Sequence, residues 1–564
     1  MTILCKQCSP TFEVLAKLKA ARSHDRMRAN DFFPGTERDE LHVLLKSASK
    51  ELTVYDDELA RLRFLVHYVE SQKQDLQREM TLLNSLNAPI RTLPVEILGK
   101  IFHYYVEAAG GNQFSSGPKA IVPAAVLAAV CKRWHSVALR SASLWSTIKV
   151  HFGSEHPTEL TYLSTIIGRS VTAEGSRTPL VIRMVSEKDE LFESKSQDIP
   201  MLKLLTDECD RWSNLTSDID GGFAMSDPLQ QVKDRLDQLC FLDIRQHVWE
   251  SKGQRLPMFC QAPKLQVVRF DELHHMPRVD LPLSQVKTLS VGLWETANFE
   301  TELPFCRDAD ELTVNLAEGF WAETLESRFV LRCRSFTLDA SDHSAPRISE
   351  ANFLGGIVCP NLEELTLLEY RNDTNSTRPF SLHELRPFLL ASGQKLRSLR
   401  VDHFPLKEVD ELVSAFSAMP LLEELNITEG CPRCCLNCVG GSILALDYHR
   451  ERCPGRCILN DTLLLALTIP KSDGFAANAQ AVLPKLVDLE LSAARSDVAD
   501  FGFSLLADML RSRCFVDENQ VSKVKDVRLH FPSMTTVSSD IDQFRWLPKA
   551  GVKLAIYDEV RRVM

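Results

Sequence analysis

The chain has 564 residues, too many for one ordinary core, so it must divide into several units or one extended repeat array. Its residues are 44% hydrophobic and 25% charged, the composition of a soluble folded protein rather than a disordered one. A net charge of −11 and a pI near 5.8 provide no global basic field for a nucleic acid backbone, which argues against nucleic acid as the main partner.

Met1 to Phe12 is interrupted by Lys6, Gln7, Ser9 and Pro10 and holds no apolar stretch of the kind a secretory signal needs. Residues 1–36 read as a flexible tail. The longest apolar run, Val122 to Cys131, contains Pro123 and falls far short of the roughly 20 residues of a membrane span. These features predict an intracellular protein of the cytoplasm or nucleus with no membrane partner. Sixteen cysteines over this length, several inside apolar blocks (Cys131, Cys240, Cys333), fit reduced buried thiols better than a disulfide framework.

A heptad pattern predicts a coiled-coil-type helix over residues 37–87. Alternate steps of four and three from Leu41 reach Leu45, Ala48, Leu52, Tyr55, Leu59, Leu62, Val66, Val69, Lys73, Leu76, Met80 and Leu83, and of these thirteen positions only Lys73 is polar. A 3.5-residue repeat kept this long demands a left-handed supercoil with another helix, over a rod of roughly 60 Å. Asn87-Ala88-Pro89 ends it. Two readings stay open: a helix folded back on its own chain, or a parallel homodimer whose e and g positions lack a clean charge code.

Residues 88–150 carry two short apolar blocks that read as one small helical module. Pro94 suits a first helical turn and Thr92 a cap, so a helix is expected from near Leu93. Leu98, Ile101, Phe102 and Tyr105 recur at i, i+3, i+4 and i+7, and Ile97 and Tyr104 widen the stripe. Val126, Val130, Trp134 and Ala138 offer a second face at helical spacing. A unit of this size has too little core to hide all that apolar surface, so an additional partner is expected.

The Leu93-Pro94 start, the Ile97-Leu98 and Ile101-Phe102 pairs and the Cys131-Lys132-Arg133-Trp134 block resemble an F-box. The resemblance implies a three-helix module that docks onto a Skp-type adaptor of a cullin-RING ubiquitin ligase. It also implies that Leu93, Pro94, Ile97, Leu98, Ile101, Phe102 and Trp134 contact the adaptor or hold that contact in shape. The stretch from Gly110 to Pro118 departs from a compact F-box and reads as an inserted loop, a change that costs little closure entropy.

Beyond Val150, Pro179 to Val185 alternates as a strand and Met201 to Trp212 reads as a helix. A Leu-x-x-Leu-x-Leu template then recurs eleven times: Leu239/Leu242/Ile244, Leu265/Val268/Phe270, Val286/Leu289/Val291, Ala309/Leu312/Val314, Cys333/Phe336/Leu338, Leu362/Leu365/Leu367, Leu396/Leu399/Val401, Leu422/Leu425/Ile427, Leu464/Leu467/Ile469, Leu486/Leu489/Leu491 and Val524/Val527/Leu529. The copies start 21 to 42 residues apart, near or above the spacing of leucine-rich repeats, with unequal connections on the convex side. Pro263, Pro360, Pro420 and Pro484 precede four copies, where a fixed φ and a missing donor would turn the chain into a stacked parallel strand. The fold expected is an α+β or α/β solenoid: a long helix, a small helical module, and an irregular repeat array over residues 151–564.

Period-two alternation turns the residues beside the buried leucines outward and makes a mixed-charge wall of Asp243, Arg245, Arg269, Asp271, Arg400, Asp402, Glu424, Asn426, Asp488, Glu490, Asp526 and Arg528. Arg245, Arg269, Arg400, Asp402, Glu424, Asn426 and Arg528 are its substrate-binding candidates. Cys431 to Cys438 followed by His449, Cys453 and Cys457 suggests a zinc clip, with Cys434, Cys438, Cys453 and Cys457 as weak ligand candidates; no metal or other cofactor is assigned. Cys5 and Cys8 have no matching pair nearby, and the doublet His274-His275 points to opposite strand faces. No phosphate-binding glycine loop, nucleophile elbow or zinc-protease helix is found, which leaves an enzyme reading without a named residue.

The order of coiled helix, F-box-like module and irregular repeats resembles the F-box proteins abundant in mushroom-forming fungi, most closely over Val130 to Ser146. That resemblance implies a non-enzymatic receptor in a Skp-cullin-F-box ligase, with a protein substrate on the repeat wall. Two other classes stay open: a repeat scaffold outside the ubiquitin pathway, and an enzyme or metal-dependent protein centred on Cys431 to Cys457.

Overall fold

A computed structural model describes residues 15, 17–19, 34–114, 122–152, 158–172, 174–186, 198–218, 227–245, 257–271, 279–293, 303–316, 328–339, 354–368, 385–402, 409–428, 460–470, 481–492, 503–516, 521–530, 542–558 and 561–562. The chain divides into two compact units, Met1–Leu98 and Gly99–Met564. Most of the expected tail lies outside the described residues, as do the Cys5, His274 and Cys431 to Cys457 motifs with Cys434, Cys438, Cys453 and Cys457. Among the described residues no helix is long and apolar enough to cross a membrane.

The first unit holds helix α1 (Gly35–Leu86), 52 residues with no interior proline, which at 1.5 Å per residue is a rod of roughly 80 Å. It ends as expected at Asn87, whose N–H donates to the Asn84 carbonyl. None of its residues is buried. A 3-10 turn at Pro89–Arg91 follows, and helix α2 (Val95–Ala108) then begins.

The second unit is built on one large sheet. Its strands are β1 (Asn112–Phe114), β2 (Thr147–Phe152), β3 (Leu180–Ser186), β4 (Trp212–Asp218), β5 (Phe241–Ile244), β6 (Val267–Phe270), β7 (Thr288–Leu293) and β8 (Glu311–Leu316). After β9 (Phe329–Val330) come β10 (Ser335–Asp339), β11 (Ile357–Val358), β12 (Glu364–Leu368), β13 (Ser398–Asp402), β14 (Glu424–Thr428), β15 (Asp488–Ser492), β16 (Asp526–His530), β17 (Lys553–Asp558) and β18 (Arg561–Arg562). All but β9 and β11, which pair with each other, lie in chain order, each beside its predecessor in the sheet. Fifteen run parallel and β18 closes the edge antiparallel.

Ten of the eleven template copies form strands of this sheet, and their leucines, valines and phenylalanines are buried. The four prolines explain how the chain enters them. Ala262, Cys359, Met419 and Leu483 each accept, through their carbonyls, the N–H of Leu265, Leu362, Leu422 and Leu486, at 3.1 to 3.3 Å. Each proline therefore occupies the second position of a four-residue turn, where its fixed φ is already correct. The turn delivers a buried leucine two residues later and the strand after that.

Leu464/Leu467/Ile469 is the exception and a correction to the template. Asp461–Leu467 is a helix, opened by Asn460, whose side chain accepts the Leu463 N–H at 3.0 Å. Leucines spaced three and four apart satisfy a helix face as well as the template, and here Leu463, Leu464 and Leu467 are buried on that face. The expected loop from Gly110 to Pro118 is also corrected in its first half, because Asn112–Phe114 is the edge strand β1, paired in parallel with Ile148 to Val150. Cys333 is buried as expected, whereas Cys131 and Cys240 are exposed. The helix expected at Met201 to Trp212 is Asp198–Asp207, and Trp212 already opens β4.

A buried cation ties the helix at Asp461–Leu467 to its neighbours. Arg513, near the end of the helix Phe503–Cys514, is fully buried and donates to the carbonyls of Leu467, Val482 and Leu483 at 2.6, 2.7 and 3.1 Å. Burial lowers its pKa to about 10.

Candidate functional site

Pro94 precedes α2 and its carbonyl accepts the Leu98 N–H at 3.0 Å, so the helix opens at Val95. Thr92 is not its cap: the hydroxyl donates back to the Pro89 carbonyl at 2.7 Å and closes the preceding turn. Leu93 is half-buried and Pro94 exposed.

Two apolar stripes run along α2, offset by about 100° because neighbouring residues are that far apart around a helix. Leu98, Phe102 and Val106, at i, i+4 and i+8, are buried. Ile97, Ile101 and Tyr104 stand 42%, 41% and 72% exposed, with Val95 and Tyr105 exposed beside them. The expected docking residues therefore divide. Ile97, Ile101 and Pro94 are presented outward, while Leu98 and Phe102 hold the helix from behind.

The helices that follow, α3 (Pro123–Val130) and α4 (Lys132–Arg140), explain how Phe102 is held. Trp134 on α4 is half-buried with its ring 4.8 Å from that of Phe102 and tilted 57° to it. This is a packing geometry that aromatic pairs favour. Cys131 breaks the helical path between α3 and α4 with an extended backbone, and its Sγ accepts the Trp134 N–H at 3.5 Å. Trp145 locks the end of α4 through Nε1, which donates to the Ala138 carbonyl at 2.8 Å, and the Arg169 guanidinium covers its ring at 4.6 Å. Val126 and Val130 on α3 and Leu139 on α4 remain exposed.

One organising residue had no signature in the spacing of the sequence. Asn112 is fully buried; its amide donates to the carbonyls of Leu144 and Thr147 at 2.8 and 3.2 Å and its oxygen accepts the Ala124 N–H at 3.3 Å. It joins the exit of α2 to the start of α3 and to β2. Gly110 and Gly111 bring it there: their N–H groups bond Glu107 and Val106 in the pattern that closes a helix with a left-handed residue. A Cβ on Gly111 would lie 2.6 Å from Thr147 Cγ2, so the close approach needs glycine.

The wall candidates fall into two groups. Arg400, Asn426 and Arg528 share one row across β13, β14 and β16, with Glu490 between the last two, and Asp402 and Glu424 flank that row. Adjacent strands are about 4.8 Å apart, so Arg400 and Arg528 lie roughly 14 Å apart. Arg400 bonds Asp402 at 2.7 Å, and Arg528 bonds Glu490 at 3.2 Å and Asp526 at 3.3 Å. Glu424, Asp488 and Asp526 form an adjacent acidic row in which partial burial, then Asp526 and Glu424, push the Asp488 carboxyl up. Arg245, just after β5, and Arg269 on β6 lie apart, roughly 29 Å and 24 Å from β13 at the same strand spacing. Arg269 covers the Phe241 ring at 5.2 Å, and Arg245 bonds Asp243 at 2.8 Å. Asp243 does not point into solvent as alternation suggests; it is buried, with Arg245 closing over it.

No curated protein matches the chain. Residues 90–151 match the F-box-like family model, so the stretch running from the Pro89–Arg91 turn through α2, α3 and α4 into β2 is an F-box-like domain.

Proposed function

We infer that the chain is the substrate-recognition subunit of a Skp-cullin-F-box ubiquitin ligase. The observation that carries this reading is the second apolar stripe of α2: Ile97, Ile101 and Tyr104 are exposed while Leu98 and Phe102 are buried, inside a segment that matches the F-box-like model. A face of this kind suits a Skp-type adaptor, and through it a cullin-RING ligase. The parallel sheet acts as an irregular leucine-rich-repeat solenoid whose wall at Arg400, Asp402, Glu424, Asn426 and Arg528 holds a protein substrate. Arg245 and Arg269 extend that wall. Ubiquitin transfer then follows from proximity, and this chain supplies no reacting group.

Co-purification with a Skp-type adaptor and cullin tests the reading. Ile97→Asp with Ile101→Asp should abolish capture, because each puts a charge on a face that must lose water, and both side chains are exposed enough to leave the fold intact. Leu98→Asp is the wrong probe, since it would break the core. Arg400→Glu with Arg528→Glu should keep adaptor capture and reduce the ubiquitylated proteins recovered under proteasome inhibition. A folded Ile97/Ile101 variant that still captures the adaptor would overturn the adaptor reading.

A further inference from the structure

Helix α1 leaves a long apolar seam open. Written as heptads, its a positions are Leu45, Leu52, Leu59, Val66, Lys73 and Met80, and its d positions run from Leu41 through Ala48, Tyr55, Leu62, Val69 and Leu76 to Leu83. Leu41, Ala48 and Tyr55 are half-buried, on a stripe with Glu37, Leu44, Glu51 and Glu58. The whole a row and the d row from Leu62 onward are exposed, ten positions of which only Lys73 is polar. Their exposed e and g flanks bring the open surface to twenty residues. A stable interface of standard size engages about 20 to 30 residues a side.

We propose that α1 pairs with α1 of a second copy of this chain as a parallel, in-register two-stranded coiled coil. The proposal stands apart from the adaptor reading, since the seam lies outside the F-box-like domain. Charge selects the direction. In a parallel pair each g position faces the e position five residues on in the other copy. Glu58, which Arg61 of its own helix also holds at 2.6 Å, then meets Arg63 as an opposite pair, Glu51 meets Asp56 as the one like-charged pair, and none of the other four pairs sets two charges together. An antiparallel pair that keeps every apolar layer would set Glu51 by Glu79, Asp56 by Glu70 and Arg63 by its own counterpart, all like charges. Lys73 is the cost of this arrangement: it faces its own counterpart in one a layer, where a single lysine fixes register and strand number at the expense of stability.

Light scattering on the purified full chain should give twice the 63.6 kDa of one copy. Leu62→Glu with Leu76→Glu should halve that mass while circular dichroism stays unchanged, because both side chains are exposed. Leu83→Cys should link to itself under mild oxidation, read as a joined peptide by mass spectrometry. An antiparallel pair would leave it unlinked and join it to Leu45→Cys in a mixture of the two variants. Any wild-type mass other than two copies at micromolar concentration, a dimer unmoved by the double variant, or absence of the Leu83→Cys link would overturn the proposal. So would assembly that occurs only when a different coiled-coil protein is added.

Discussion

Leucines in the sheet and isoleucines on α2 have nearly the same side chains and opposite fates. Leu365, Leu399, Leu425 and Leu489 sit side by side on consecutive strands, buried, so each strand covers its neighbour's apolar residues. Ile97 and Ile101 share a helix with the buried Leu98 and Phe102 but gain no such cover. The sheet saturates its own core by repetition. The helical module, with one short helix pair behind α2, saturates one stripe and leaves the other exposed.

The contrast can be broken most severely by a charge in each place. Leu425→Asp should destabilise the sheet by about 4 kcal/mol or more, because an unpaired carboxylate replaces a packed side chain. Ile101→Asp should change the unfolding free energy by less than about 0.5 kcal/mol, as exposed positions do. Equal losses in the two variants would erase the distinction. Arg513→Met should cost about 2 to 4 kcal/mol, since the carbonyls of Leu467, Val482 and Leu483 lose their donor. Asn112→Ala should cost about 2 kcal/mol within the helical module by stranding the Ala124 N–H and the Leu144 and Thr147 carbonyls.

The smallest effect belongs to the acidic row of the wall. Asp488 titrates above the usual 3.8 because its anion is disfavoured in the folded chain. Such a group favours the fold below its unfolded value, and that advantage is lost as pH rises through the folded value. Asp488→Asn should therefore raise stability at neutral pH by less than about 0.5 kcal/mol and change nothing well below pH 3.8, as read by urea denaturation at the two pH values.

Much of this arrangement was legible because it repeats. The heptads marked out α1 and its end at Asn87, though the helix starts before Leu41 and is longer than the heptad rod, and the proline turns gave four strand entries, because proline at the second turn position has one backbone meaning. Leu464 and Leu467 misled because a three-residue spacing serves helix and repeat alike. The Asn460-Asp461 start was the local signal that decides for helix. The template also missed β17, whose first template position is Gly551 rather than an apolar residue. Asn112 could not be read at all: its three partners lie 12 to 35 residues away and no spacing encodes them. For the same reason heptad and helix patterns place Ile97 and Leu98 on one stripe, and only packing tells which of the two is covered.

Calorimetric titration of the folded full chain with a purified Skp-type adaptor tests the central claim most directly. The wild type should bind, and Ile101→Asp should weaken binding by at least about 100-fold, roughly 2.7 kcal/mol, with an unchanged denaturation midpoint. Equal affinity in the two proteins, or no binding by a folded wild type, would contradict it.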